Sequence, residues 1–265
     1  VSKLGSKHRL PAEVLSQLGL SCMVNGDLES SIEHLRKSYL ITRTIEGEYE
    51  PETASAAENL GVALQRHGKY AEARELHEKA LRIRKNKLKK RHIAFWSSYD
   101  NLSQCYVQLQ QWENAVTSLE ELVTRMEDFY GELHPITADW YDRLAYACEQ
   151  NGELDKASQA YRRSLRTRSY SDENPLTPLS LFNLGVSLFK QGNIKEAHEY
   201  LEKCQRSRNY LRLPEKHIEN ASLCEFLGLV HEQKGDIKEA VRLMRKSVDI
   251  RKGRSQGLPV VEDVK

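Results

Sequence analysis

Asn59-Leu60-Gly61-Val62-Ala63-Leu64-Gln65-Arg66-His67-Gly68-Lys69-Tyr70-Ala71-Glu72-Ala73 is one copy of a pattern that recurs six times in 265 residues. Its turn position is occupied by Gly26, Gly68, Gln110, Gly152, Gly192 and Gly235, at intervals of 42, 42, 42, 40 and 43 residues. Eight residues before each turn stands a leucine: Leu18, Leu60, Leu102, Leu144, Leu184 and Leu227. The residue after that leucine is always small: Gly19, Gly61, Ser103, Ala145, Gly185 and Gly228. Five residues after the turn comes a second small residue, Ser31, Ala73, Ala115, Ala157, Ala197 and Ala240. Nine after it comes a mostly large one, Leu35, His77, Leu119, Tyr161, Leu201 and Met244.

Large apolar residues at helical spacing give each helix one buried face. Small residues at fixed points let a partner helix approach closely. A turn glycine ends the first helix because it takes positive φ without strain. Each unit is therefore a helical hairpin, and hairpins must stack to bury their faces. The first helices are expected near 11–25, 53–67, 96–109, 137–151, 178–191 and 220–234. The second helices are expected near 28–45, 70–88, 112–129, 154–169, 194–209 and 237–252.

The run Asn59-Leu60-Gly61…Gly68…Ala73, repeated as Asn183-Leu184-Gly185…Gly192…Ala197, resembles the tetratricopeptide signature. The period of about 42 residues, and the linker Gly131-Glu-Leu-His134-Pro135, resemble the kinesin light chain type. The second and fifth linkers lack that linker motif. The resemblance covers roughly residues 11–252. It implies an all-α, right-handed superhelical solenoid of about six tetratricopeptide hairpins, with first helices lining the concave face. A single domain over 1–252 is expected, with units about 11–52, 53–95, 96–136, 137–177, 178–219 and 220–252. Residues 253–265, with two glycines and a proline, read as a flexible tail. The chain opens on Val1 and shows no terminal capping helix, so it reads as a piece of a longer protein.

With the repeated leucine as position 7, positions 2, 6, 9 and 13 form a stripe apart from the packing positions 4, 7, 8 and 11. Position 6 is Asn59, Asn101 and Asn183 in units two, three and five. An amide offers a donor and an acceptor together, which suits the backbone of an extended peptide. The resemblance implies that role for these three asparagines. The same stripe supplies Arg66, Gln104, Arg143, Tyr146 and Lys190 as further peptide-binding candidates. Position 5 carries Glu58, Asp100, Asp142 and Glu225. These carboxylates would repel acidic ligands, so a mixed or partly basic partner segment is expected.

Seven of the ten residues from 82 to 91 are basic: Arg82, Arg84, Lys85, Lys87, Lys89, Lys90 and Arg91. They read either as a patch for an acidic partner or nucleic acid, or as a solvated helix end favoured by the helix dipole. The formal net charge of +2 gives no global pull toward nucleic acid or a membrane. Tyr99, Tyr141 and Trp112 fall on packing positions. Units one and six carry apolar stripe residues, Leu20, Val24, Phe226 and Leu229, which makes self-association a further reading.

No phosphate loop, nucleophile elbow or zinc-binding helix motif occurs, and the nine histidines follow no metal-ligand spacing. The five cysteines include no Cys-x-x-Cys pair and fit reduced thiols in a cytoplasmic setting. The expectation is a protein-binding scaffold or adaptor, not an enzyme, with no cofactor and no metal. The alternatives are binding of nucleic acid or an acidic partner through 82–92, and a self-association module of a larger sensor protein.

Overall fold

The computed structural model describes residues 3–89, 92–168, 175–212 and 217–255. The described residues form twelve α-helices and no strand. Two compact units divide them, Val1–Gly131 and Glu132–Lys265.

In the first unit α1 (Lys3–Val24) pairs with α2 (Leu28–Glu46), α3 (Pro51–Arg66) with α4 (Tyr70–Lys87), and α5 (Ala94–Gln108) with α6 (Trp112–Tyr130). In the second unit α7 (Pro135–Gln150) pairs with α8 (Leu154–Arg168), α9 (Thr177–Lys190) with α10 (Ile194–Tyr210), and α11 (Ile218–Gln233) with α12 (Ile237–Ser255). Each second helix also packs on the first helix of the next hairpin within its unit. The first helices meet one another as well, α1 with α3, α3 with α5, and α9 with α11.

Two ends differ most from expectation. Helix α1 begins at Lys3 and runs through Pro11, which costs one backbone hydrogen bond without ending the helix. Helix α12 continues to Ser255, past the glycine expected to close it, and residues 256–265 lie outside the described ones. Helices α3 and α7 start two residues early, because Pro51 and Pro135 occupy the first turn, where a missing N–H costs nothing. Three of the linkers share a further device. His134 Nδ1 accepts from the Ile136 N–H at 3.3 Å, His92 from Ala94 at 3.1 Å and His217 from Glu219 at 3.4 Å. The second and fifth linkers, which lack Gly-x-x-His-Pro, thus keep the histidine that caps the next helix.

The turn register holds at all six positions. Gly26, Gly68, Gly152, Gly192 and Gly235 have φ between 82° and 88°, and Gln110 is forced to 57° at the same place. The N–H after each turn residue reaches back five residues, as from Lys69 to the Leu64 carbonyl at 2.9 Å and from Gln111 to Tyr106 at 2.8 Å.

The core is built from the small–large pairing. A Cβ added at Gly61 would lie 2.6 Å from His77 Cε1, and one at Gly185 would lie 2.8 Å from Leu201 Cγ. Ala73, Ala115, Ala157 and Ala197 are fully buried. Leu60, Leu102, Leu184 and Leu227 are buried, Leu144 is half-buried and Leu18 is exposed.

His77 is the misfit in this core. It fills the place of Leu35, Leu119 and Leu201, it is fully buried, and neither ring nitrogen has a hydrogen-bond partner. Burial pushes its imidazole down to about 4, opposed by Glu58 and reinforced by Arg84. Because the folded value lies below the unfolded one, the unfolded chain binds more protons as pH falls from about 6.5 toward 4. His77 should therefore cost about 3 kcal/mol of stability across that window. Urea unfolding of His77→Leu should show a higher midpoint at pH 7 and a flatter pH profile than the wild type.

Candidate functional site

The stripe of positions 2, 6, 9 and 13 lies on the first helices in both units. In the first unit Asn59 and Val62 are half-buried and Ser55 and Arg66 exposed. Among the described residues, Asn59 has no hydrogen-bonding side-chain partner. Asn101 differs: its Nδ2 donates to Glu58 Oε1 at 3.4 Å, tying α5 to α3. Gln104 is held from two sides. Its Nε2 donates to Asp100 Oδ1 at 2.7 Å, and its Oε1 accepts from Gln65 Nε2 at 2.8 Å.

In the second unit Asn183 is half-buried and, among the described residues, lacks a side-chain partner. Leu179, one turn earlier on the same face, is 42% exposed, and Tyr146 is 46% exposed. Arg143 lies over the Trp140 ring at 4.6 Å, and Lys190 pairs at 2.9 Å with the largely buried Glu149. Phe182, next to Asn183 in sequence, belongs to an aromatic cluster. Phe226 of α11 meets Phe182 and Phe189 of α9 edge-on, at centroid separations of 5.8 and 6.0 Å. The sequence reading placed Phe226 on the stripe but missed this cluster, since Phe182 and Phe189 stand at positions 5 and 12.

The carboxylates at position 5 need correction. Glu58 forms an ion pair with Arg84, Asp142 with Arg168, and Glu225 with Arg251, while Asp100 accepts from Gln104. Three of the four are thus paired with arginines inside the fold, which weakens the field they would present to acidic ligands.

The basic run is corrected for the same reason. Arg84 is buried, 4% exposed, and is no part of a surface patch. Besides Glu58 on α3 it donates to Ser98 Oγ and, at 3.0 Å, to the Ala94 carbonyl on α5. It joins two hairpins. Lys87 pairs with Glu50 at 2.8 Å, and Lys85 Nζ lies 5.6 Å from the Tyr99 ring centre. Arg82 and Lys89 are exposed, and Lys90 and Arg91 lie outside the described residues.

Arg84 belongs to a series. Sixteen residues after each turn stand Thr42, Arg84, Met126, Arg168, Arg208 and Arg251. Arg168, 5% exposed, binds Asp139 and Asp142 on α7 and Ser180 on α9. Arg208, 7% exposed, binds Glu219 and Asn220 on α11, each at 2.6 Å. A guanidinium suits this place because its planar fork spreads donors over two helices. The fixed offset from the turn was available in the sequence. It went unread because arginines near a helix C-terminus also suit the dipole in solvent.

Among the described residues no group of three His, Cys, Asp or Glu side chains is placed to hold a metal ion, and no helix is long and apolar enough to cross a membrane.

Replacing Arg168 by Met leaves Asp142 buried beside an apolar chain and should cost about 3–5 kcal/mol. Replacing exposed Arg82 by Ala should change stability by less than about 0.5 kcal/mol. Paired denaturation curves of the two variants check the contrast.

Known proteins share this arrangement. The tetratricopeptide repeat family models match residues 10–86, 95–169, 178–207 and 221–253. The Arabidopsis thaliana protein named KINESIN LIGHT CHAIN-RELATED 3 is 26% identical over 185 residues, 69% of this chain and 28% of that protein. A clustered mitochondria protein homolog of Danio rerio is 22% identical over 88% of this chain and 16% of its own length. The chain thus spans less than a third of either relative. Among solved structures, TPR-like repeats of Podosopora anserina, described as of the kinesin light chain kind, superpose with a TM-score of 0.67 at 22% identity. They cover 77% of this chain and 99% of that one. BtubC (BKLC) from P. vanneervenii superposes with a TM-score of 0.65 at 17% identity, over 91% and 94% of the two chains. The described residues are all helical with a fold similar to kinesin light chain-like repeats, and the chain belongs to the tetratricopeptide repeat family.

Proposed function

We propose that this chain is a protein-interaction scaffold or adaptor that holds partner segments on the first helices of each unit. One observation carries the reading. Asn59 and Asn183 occupy the same register in different units, both half-buried, and neither amide is used by the fold. A half-buried amide without an internal partner is matched by the backbone of an extended peptide at little extra desolvation cost.

The two units offer different chemistry around those amides. In the first, Ser55, Asn59, Gln104 and exposed Arg66 make a polar surface, and Arg66 would hold a ligand carboxylate. In the second, Asn183 shares α9 with exposed Leu179 and with Phe182, which meets Phe226, and these groups would take an apolar side chain. Since three of the four position-5 carboxylates, Glu58, Asp142 and Glu225, are paired with arginines, the expected bias toward basic ligands rests on Asp100 alone. The other readings have less support. The 82–91 run loses Arg84 to the interior, and of Leu20, Val24, Phe226 and Leu229 only Val24 is strongly exposed. A cytoplasmic setting fits the five free cysteines.

The test is capture of partners from nuclease-treated cell extract by the wild type and by Asn59→Ala/Asn183→Ala. The variant should unfold within about 1 kcal/mol of the wild type, since no internal bond is lost, yet retain at least about tenfold less of the specific partner. Equal capture by both proteins would remove the site from the first-helix face.

A further inference from the structure

In the second unit two histidines from successive hairpins face each other. His198 on α10 and His231 on α11 stand with their Nε2 atoms 3.3 Å apart and their rings edge-to-face, 5.0 Å between centroids. Both are about four-fifths buried. On the far side of His198, Lys234 Nζ lies 3.4 Å from Nδ1. On the far side of His231, Asp236 Oδ2 lies 3.3 Å from Nδ1. Lys234 and Asp236 both belong to the turn before α12.

Lys234 fixes the proton positions. An ammonium only donates, so the His198 Nδ1 beside it is the acceptor of the neutral ring. The His198 proton then sits on Nε2 and is donated to His231 Nε2. The His231 proton sits on Nδ1, toward the Asp236 carboxylate. The gap between the rings holds one proton and has room for no second. Two N–H groups pointing at each other across 3.3 Å would bring their hydrogens to roughly 1.3 Å.

We propose that the His198–His231 pair is an acid-sensitive latch between the fifth and sixth hairpins, which opens when both rings become cationic. The other charged groups around the pair are Glu202 on α10, 3.7 Å from His198 Nε2, and Glu239 on α12, within electrostatic reach of His231. Glu239 is itself bound to Arg242. These carboxylates and Asp236 attract a cation on either ring, and Lys234 repels one. None of them removes the clash in the gap, so full protonation requires the rings to separate. Burial, with help from Lys234, already holds the His198 imidazole below its ordinary value. The separated state therefore binds more protons than the closed one, and the latch weakens as pH falls below about 6.5.

The position makes opening consequential. Helices α10 and α11 meet more sparsely than α8 and α9, the other hairpin junction inside this unit. The contact between Phe226 and the α9 phenylalanines spans the same two hairpins. Releasing α11 would disassemble that aromatic surface, whatever binds there.

Hydrogen exchange of the full chain, resolved by segment and corrected for intrinsic rates, tests the latch at pH 7 and about pH 5.5. In the wild type, protection of α11 should fall roughly tenfold more than that of α7 and α8. In His198→Gln the fall should vanish. A glutamine there can donate to His231 Nε2 or, with its amide turned, accept from it, so protonation breaks no contact. His231→Gln should behave likewise and serves if the first variant folds poorly. An unchanged α11 in the wild type, or an equal fall in either variant, would overturn the latch. Neither outcome depends on the partner-binding proposal.

Discussion

The close approach of two helices inside each hairpin, made possible by one small residue facing one large one, is the constraint that everything else in this structure obeys. Gly61 against His77 and Gly185 against Leu201 leave no room for a methyl group. That contact fixes the separation and rotation of the helices, which then turns the other faces toward neighbouring hairpins and toward solvent. The turn residue enforces it from the other end. Even Gln110, which pays for positive φ, adopts the glycine conformation so that the second helix starts in register.

A second layer of organisation joins hairpin to hairpin. Leucines and alanines supply the burial, but they act without direction and would tolerate sliding. Arg84, Arg168 and Arg208 add direction: each is buried, and each binds oxygens on the helix that follows it. A buried guanidinium costs too much desolvation to be an economical source of stability. Its consequence here is register, since any slide between hairpins would strand a charge. The same pairing silences Glu58 and Asp142, and so changes what the first-helix face can offer a ligand.

His77 and the His198–His231 pair show the same scaffold accepting polar residues where apolar ones would serve. His77 sits in a leucine's place with no partner, a direct cost. His198 and His231 meet through their Nε2 atoms and stay matched only while a single proton lies between them.

The sequence by itself determined the hairpins. The spacing of leucine, small residue and turn located eleven of the twelve helix starts within two residues, because that spacing is the packing constraint written along the chain. It also put Asn59, Asn101 and Asn183 at one register position, because a fixed offset from the repeated leucine is a fixed side of each first helix. Only the tertiary structure decided which charges remain available. Positions 59 and 101 hold the same residue type at the same register, yet Asn101 reaches Glu58 on the neighbouring hairpin while Asn59 has no side-chain partner among the described residues. Arg82 and Arg84 sit two residues apart in one basic run, yet one is in water and the other in the interior. The physical reason is that periodicity reports which way a side chain points, whereas its partner comes from a helix about forty residues away, and that distance closes only when the hairpins stack.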